Sequence, residues 1–199
     1  LRTKIGIQDE NVLQAMNAVP RHLFIESIFE DYAYEDRAFP IAARQTISHP
    51  STVAEQSELL QVQNGEKVLE IGTGCGYQTA VLLEMGAQVY TVERQKDLYD
   101  FSSKKLRQLL YRPKFQLFGD GFAGLPTFAP FDKILVTCGA EVLPTELLRQ
   151  LNIRGKMVIP LGPIDEQILY RFTKVSDTEI EKEDFGAYKF VPMLNDTNT

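Results

Sequence analysis

Seven residues, Arg44 to Pro50, read RQTISHP and set a guanidinium, an amide, two hydroxyls and an imidazole side by side. A serine hydrolase would need its serine on a strained G-x-S-x-G elbow, with a base and an orienting acid. Ser48 has no such glycines. His49 follows it directly, so in extended chain the two side chains point to opposite sides. His22 is the only other imidazole, so a triad has little to draw on. The remaining readings are a helix cap or one wall of a ligand site. A metal centre lacks donors: His22 stands alone, and Cys75 and Cys138 lie far apart without CxxC spacing. Both thiols are expected to be free, with Cys75 a small packing residue.

The second constellation is EIGTGCGY, between the apolar run KVLEI and the helical QTAVLLEMG. A glycine-rich loop between a strand and a helix has meaning as a ligand cradle. The dinucleotide fingerprint is G-x-G-x-x-G. Here the glycines are Gly72, Gly74 and Gly76, and Tyr77 stands where the third is wanted. Glu70, two residues before the loop, would sit badly against a pyrophosphate but well near a cation. Glu93 closes the next strand, where an acid accepts from ribose hydroxyls. Asp120, between Gly119 and Gly121 at a third strand end, is suited to an adenine amino group. The ligand expected is an adenosine without a diphosphate, carrying positive charge, and S-adenosylmethionine fits. The E-x-G-x-G-x-G pattern resembles the first motif of the Rossmann-like methyltransferases. A nicotinamide oxidoreductase fits it less well.

These residues need elements to hold them. Residues 8–18 read as a helix capped by Asp9, with Val12, Leu13 and Met16 at helical spacing. RHLFIESIFEDYAYEDRAFPI is dense in aromatics and irregular. A helix follows Pro50, with Ser51 near its cap. From Glu66 onward strands and helices alternate: KVLEI, QVYTV, KFQLF and FDKILVTC as strands, with KDLYDFSSKKLRQLL and PTELLRQLN as helices. GKMVIPLG and QILYRFTKV close the chain without a helix between them, and GAYKFVPML is a candidate seventh strand. EIEKEDF, Glu179 to Phe185, reads as a solvated acidic turn. The fold class expected is α/β: a doubly wound, mostly parallel Rossmann-like methyltransferase sheet with helices on both faces. An antiparallel C-terminal edge and an N-terminal helical cap complete it. The 199 residues are expected to form a single domain. Residues 1–55 would be the cap and active-site loop, and residues 56–199 the cofactor core with its C-terminal substrate-binding strands.

Composition narrows the function classes. Apolar content is 44% and charged content 24%, as in a globular protein. Net charge is −6, against the basic stripe of a nucleic-acid binder. No apolar run reaches the roughly 20 residues of a membrane span, and no signal segment is visible from Leu1 onward. A cytoplasmic location is expected.

VPRHLF, YED, QTIS-x-P, VLEIGTGCGYQTAVL, GDG, APFDKILVT, GKMVIPLG and KFVPML occur in that order. Together they make the chain resemble the protein-L-isoaspartate O-methyltransferase family over nearly its whole length. The resemblance implies a repair enzyme. It would transfer a methyl group from S-adenosylmethionine to the α-carboxylate of isoaspartyl residues and release S-adenosylhomocysteine. The ester would close to a succinimide that reopens partly to aspartate. By resemblance Ser48 is the active-site serine, and Thr46, Ile47, His49, Val191, Pro192 and Met193 bind the substrate peptide. Glu70, Ile71, Gly72, Thr73, Gly74, Gly76, Glu93, Arg94, Asp120 and Gly121 hold the cofactor. The partners implied are isoaspartyl proteins and peptides, met by a monomer without nucleic acid or membrane. Arg44 stands where the family usually has glycine, and His49 where it commonly has glutamine or alanine. The rival readings are another methyltransferase on this scaffold, or a silent S-adenosylmethionine-binding module. QTIS before the glycine loop speaks against the first, and intact Ser48, Glu93 and Asp120 against the second.

The chemistry fits Ser48 without a base. A carboxylate is ionised at neutral pH, with a reference pKa of about 4. It attacks a sulfonium methyl unaided, provided the reacting atoms are held in line at roughly 3–3.5 Å. Ser48 and Thr46 are expected to hold one carboxylate oxygen while the other attacks, with no covalent serine intermediate.

Overall fold

A computed structural model describes residues 6–199. Asp9 starts the first helix, α1 (Glu10–Ala18), by accepting from the backbone N–H groups of Asn11 and Val12, which have no partner within the helix. Val12, Ala15 and Met16 turn inward from it. The aromatic segment after Pro20 forms two short 3-10 turns, Arg21–Phe24 and Ser27–Tyr32. A small antiparallel pair follows, β1 (Phe39–Ile41) and β2 (Gln45–Ile47). Helix α2 (Pro50–Leu60) begins directly behind it. Its cap position is His49, without a side-chain cap bond, rather than Ser51. Pro50 opens the first turn, where its fixed φ is preset and its missing N–H loses nothing. The N–H of Ser51 is taken by Asp36 Oδ1 at 2.9 Å.

The core then alternates as expected: β3 (Lys67–Ile71), α3 (Tyr77–Glu84), β4 (Gln88–Glu93), α4 (Lys96–Gln108), β5 (Phe115–Phe118) and β6 (Phe131–Val136). A short α5 (Thr145–Arg149), β7 (Leu151–Leu161), β8 (Gln167–Lys174) and β9 (Ile180–Tyr188) complete the chain. Among the described residues the main sheet has the order β5-β4-β3-β6-β7-β8-β9. Pairing is parallel as far as β7 and antiparallel beyond it. Apolar layers cover both faces. Val68, Leu135 and Val158 pack with α1, α2 and α3, while Leu69, Ile134 and Met157 pack with Leu147 and Leu148 of α5. That is why the central strands read as continuous apolar runs rather than alternating ones.

The C-terminal third differs from the sequence expectation. PTELLRQLN yields a helix of only five residues, because β7 already begins at Leu151. The acidic stretch after Glu179 is the edge strand β9, not a turn. Its backbone ladders onto β8, and Arg171 Nε and Nη2 each donate to Glu183 at 2.7 Å. An edge strand open to solvent on both faces carries charge without cost, and charge there discourages edge-to-edge pairing. Of the candidate seventh strand GAYKFVPML, Gly186 to Tyr188 form the end of β9, and the remaining KFVPML is not a regular strand. It touches the fold through an isolated bridge between Gly139 and Pro192.

Candidate active site

The sheet order reverses at β3, with β4 on one side and β6 on the other. Ligands of open α/β sheets bind at the carboxyl end of such a switch point, and the glycine loop stands there. Gly72 has φ +95, and a Cβ on it would lie 2.5 Å from Thr137 Oγ1. The Thr137 hydroxyl lies within reach of the carbonyls of Ile71 (3.0 Å) and Gly72 (2.7 Å), tying the loop to the end of β6. Gly76 caps α3 at φ +92, and a Cβ there would press on Leu106 of α4 at 3.1 Å. Above the loop opens a cleft of about 900 Å³, counting its mouth.

The cleft gathers most of the residues singled out from sequence. Thr46, Ile47 and Ser48 form one wall, and Ile71 to Gly74 form the floor. Glu93, Arg94 and Gly121 stand on the β4–β5 side, and Val191 to Met193 close the other edge. Four of the named residues do not line it. Glu70 is buried beneath the loop, Gly76 packs on Leu106, His49 sits at the exposed start of α2, and Asp120 caps the turn after β5. Residues that sequence reasoning gave no role also line the cleft, among them Gln56, Tyr77, Gln78 and Thr137. Thr137 was findable as the residue after a parallel strand. Gln56 and Gln78 carry no such signal, since a polar side chain on a helix reads as solvent-facing.

Glu93 is the strongest polar feature. It is 4% exposed, and its two oxygens accept from the N–H groups of Gly74 and Gln95, each at 2.8 Å. Burial pushes its carboxyl pKa up, and those backbone bonds pull against the shift. Each carboxylate oxygen has two lone pairs, so two remain for a ligand's hydroxyls. A glycine floor free of Cβ atoms beside such an acid fits an adenosine-type ligand.

Glu70 works from below. Its Oε2 accepts from the hydroxyls of Thr79 and Thr91, and Thr73 of the loop donates on to Thr91. Oε1 has no partner. The acid that suggested a cationic ligand is therefore a strut between β3, β4, α3 and the loop. Burial outweighs its two hydroxyl donors and pushes its pKa from 4.5 up to about 7. The folded protein thus holds this proton more tightly than the unfolded chain. Stability from Glu70 is complete below pH 4.5 and is lost as pH rises through 7. Glu70→Gln is expected to remove that slope, up to about 3 kcal/mol. The check is the melting temperature of both proteins from pH 5 to 8. Parallel pH curves would disprove it.

The Ser48 wall is held from behind. Arg21, 1% exposed, donates from Nε to Ala33 O (2.9 Å) and from Nη2 to Ser48 O (2.8 Å), and its guanidinium lies 4.9 Å from the Tyr77 ring centroid. Among the described residues the hydroxyls of Thr46 and Ser48 have no protein partner. Among the described residues neither imidazole is hydrogen-bonded to Ser48: His22 Nδ1 lies 2.6 Å from Tyr34 Oη, and His49 is the exposed cap position of α2, without a side-chain cap bond. Cys75 and Cys138 are free, and burial raises their pKa to about 11 and about 12, so both remain thiols.

The C-terminal strap crosses the top of the cleft. Gly139 N–H donates to Val191 O (2.8 Å), and Met193 N–H to Gly139 O (2.7 Å). Further on, Arg94 Nε donates to Asp196 O at 2.9 Å, and Asp120 Oδ2 accepts from Asp196 N–H at 3.2 Å. Asp120 Oδ1 takes the N–H of Phe122 at 2.9 Å. Asp120 and Arg94 thus anchor the strap as well as flanking the site. Among the described residues no helix is long and apolar enough to cross a membrane.

A doubly wound sheet with a glycine loop and a strand-end acid at its switch point defines a Rossmann-like methyltransferase. Known proteins agree. The family model for protein-L-isoaspartate(D-aspartate) O-methyltransferase matches residues 1–198. A protein-L-isoaspartate O-methyltransferase of Christiangramia forsetii is 56% identical over 195 residues, covering 98% of this chain and 91% of that one. One from Dictyoglomus thermophilum is 46% identical, covering 94% and 85%. A Plasmodium falciparum structure described as this methyltransferase, in complex with S-adenosyl-L-homocysteine, superposes with a TM-score of 0.83 at 28% identity. It covers 94% of this chain and 92% of that one. Another solved protein-L-isoaspartate O-methyltransferase gives 0.86 at 27% identity over 95% of this chain, which spans 62% of that protein's length. The chain belongs to the protein-L-isoaspartate(D-aspartate) O-methyltransferase family.

Proposed function

We propose that this protein methylates the α-carboxylate of isoaspartyl residues in damaged proteins and peptides, using S-adenosylmethionine held over the glycine loop. The observation that carries the reading is the pairing, in one cleft, of the Glu93-walled glycine floor with two unpartnered hydroxyls, Thr46 and Ser48. When bound, S-adenosylmethionine supplies an electrophilic methyl group on a sulfonium. Glu93, with Ile71 to Gly74 and Gly121, holds the adenosyl part. Ser48 and Thr46 donate to one oxygen of the substrate carboxylate and leave the other free to attack. No group in the cleft has to remove a proton, which suits a site where neither histidine touches Ser48. Ile47, Val191, Pro192 and Met193 form apolar walls that exclude water from the anionic nucleophile. His49, outside the cleft on the exposed side of α2, is left to meet the flanking peptide. The substrates are isoaspartyl proteins and peptides, met by a cytoplasmic monomer, and a net charge of −6 offers nucleic acid no basic stripe.

The test uses paired peptides that differ only in aspartate versus isoaspartate, with methyl-labelled S-adenosylmethionine. Base-labile label is expected on the isoaspartyl peptide alone. Equal labelling of both would point to another methyltransferase. Cofactor binding with no labelling of either would point to a silent module.

A further inference from the structure

Gln78 is a cleft-lining side chain to which the mechanism above gives no task. It lies in the first turn of α3 and is 8% exposed. Its Nε2 donates to Ser57 Oγ of α2 at 3.0 Å, and Ser57 itself is fully buried. That bond fixes the amide plane and leaves Oε1 as the free end. Oε1 is buried without a hydrogen-bond partner among the described residues. Buried acceptors are rarely left so unless a ligand or water completes them. A lone acceptor at the wall of a ligand cleft calls for a donor on the ligand.

Position decides which donor. Helix α2 packs over β6 and β7, and α3 reaches over β4. Gln56, beside Ser57 on α2, donates to Val136 O at the end of β6 (3.1 Å). Gln78 bonds to α2, so it faces the β6 side of the loop, away from Glu93 at the end of β4. With the ribose at Glu93, the cleft is open toward Gly121 after β5 and across the Gly72–Gly74 floor after β3, so a base on the first side puts the 5′ arm on the second. Adjacent strands are about 4.8 Å apart, so a chain of a few atoms covers that step. In an S-adenosyl ligand the 5′ arm ends in an α-amino acid, whose only strong donor is its ammonium.

We infer that Gln78 Oε1 accepts from the α-ammonium of the cofactor and so recognises its aminoacyl end. The inference rests on the S-adenosylmethionine reading. The test is calorimetric binding of two probes, S-adenosylhomocysteine and 5′-methylthioadenosine, which lacks the amino-acid arm. Gln78→Leu is expected to weaken S-adenosylhomocysteine at least tenfold, the scale of a hydrogen bond to a charged group. Affinity for 5′-methylthioadenosine should stay within twofold. Gln78→Glu keeps an acceptor at this place and should bind S-adenosylhomocysteine within threefold of the parent. An equal loss of both probes in Gln78→Leu would show a packing role and overturn the assignment. So would an unchanged affinity for S-adenosylhomocysteine, or a Glu variant as weak as the Leu variant. A parent protein that bound neither probe would sink the cofactor reading itself, and the Gln78 assignment with it.

Discussion

Glu93→Ala is expected to weaken S-adenosylhomocysteine binding about 100-fold, since hydrogen bonds from ligand hydroxyls to an ionised acceptor are lost together. The same change harms the empty protein. The N–H groups of Gly74 and Gln95 lose the carboxylate that accepts them, and each unsatisfied buried donor costs about 1–3 kcal/mol. Both effects have separate readouts: titration calorimetry for affinity, and denaturant midpoints for stability. Glu93→Gln separates them further. Its single amide oxygen can serve one N–H, while its NH2 opposes the other and also opposes a ribose hydroxyl donor. It should recover part of the stability and little of the affinity. Affinity within threefold of the parent in the Ala variant would place the ribose elsewhere.

Ser48→Ala has the opposite signature. With no partner on its hydroxyl among the described residues, removal leaves nothing unsatisfied, and the melting temperature should hold. Affinity for S-adenosylhomocysteine should stay within a few-fold. The loss appears with the isoaspartyl peptide, where one hydrogen bond to an ionised carboxylate is worth roughly 2–3 kcal/mol, or about 30- to 160-fold in kcat/KM. Thr46→Ala should lose less, and the double variant less than the sum, because both hydroxyls serve one carboxylate. A collapse of cofactor affinity in Ser48→Ala would make Ser48 a cofactor ligand first. An unchanged kcat/KM would remove it from the site.

The two carboxylates of the loop region show how far local reading reaches. Glu93 was legible because it ends a strand about one βαβ step after the glycines, and both facts lie in the chain order. Glu70 was legible as an acid at the loop but not in its role. It lies on a strand covered on both faces, so no alternation reveals which way it points. Only the fold brings Thr79, Thr91 and Thr73 around it. The edge strand β9 was hidden for a related reason. Its acidic residues lack strand patterning, and its pairing depends on Arg171 and the backbone of β8.

The parallel core, the glycine loop with Glu93 behind it, the antiparallel close and the family could all be read along the chain. Those follow from periodicity, turn residues and motif order, all properties of neighbours along the chain. Which polar groups are satisfied and which are left waiting emerges only once the chain is folded. Arg21 behind Ser48, the strap latched on Arg94 and Asp120, and Gln78 with one free oxygen all join residues distant in sequence. A buried hydrogen bond depends on which elements meet and at what angle, and no local pattern encodes that meeting.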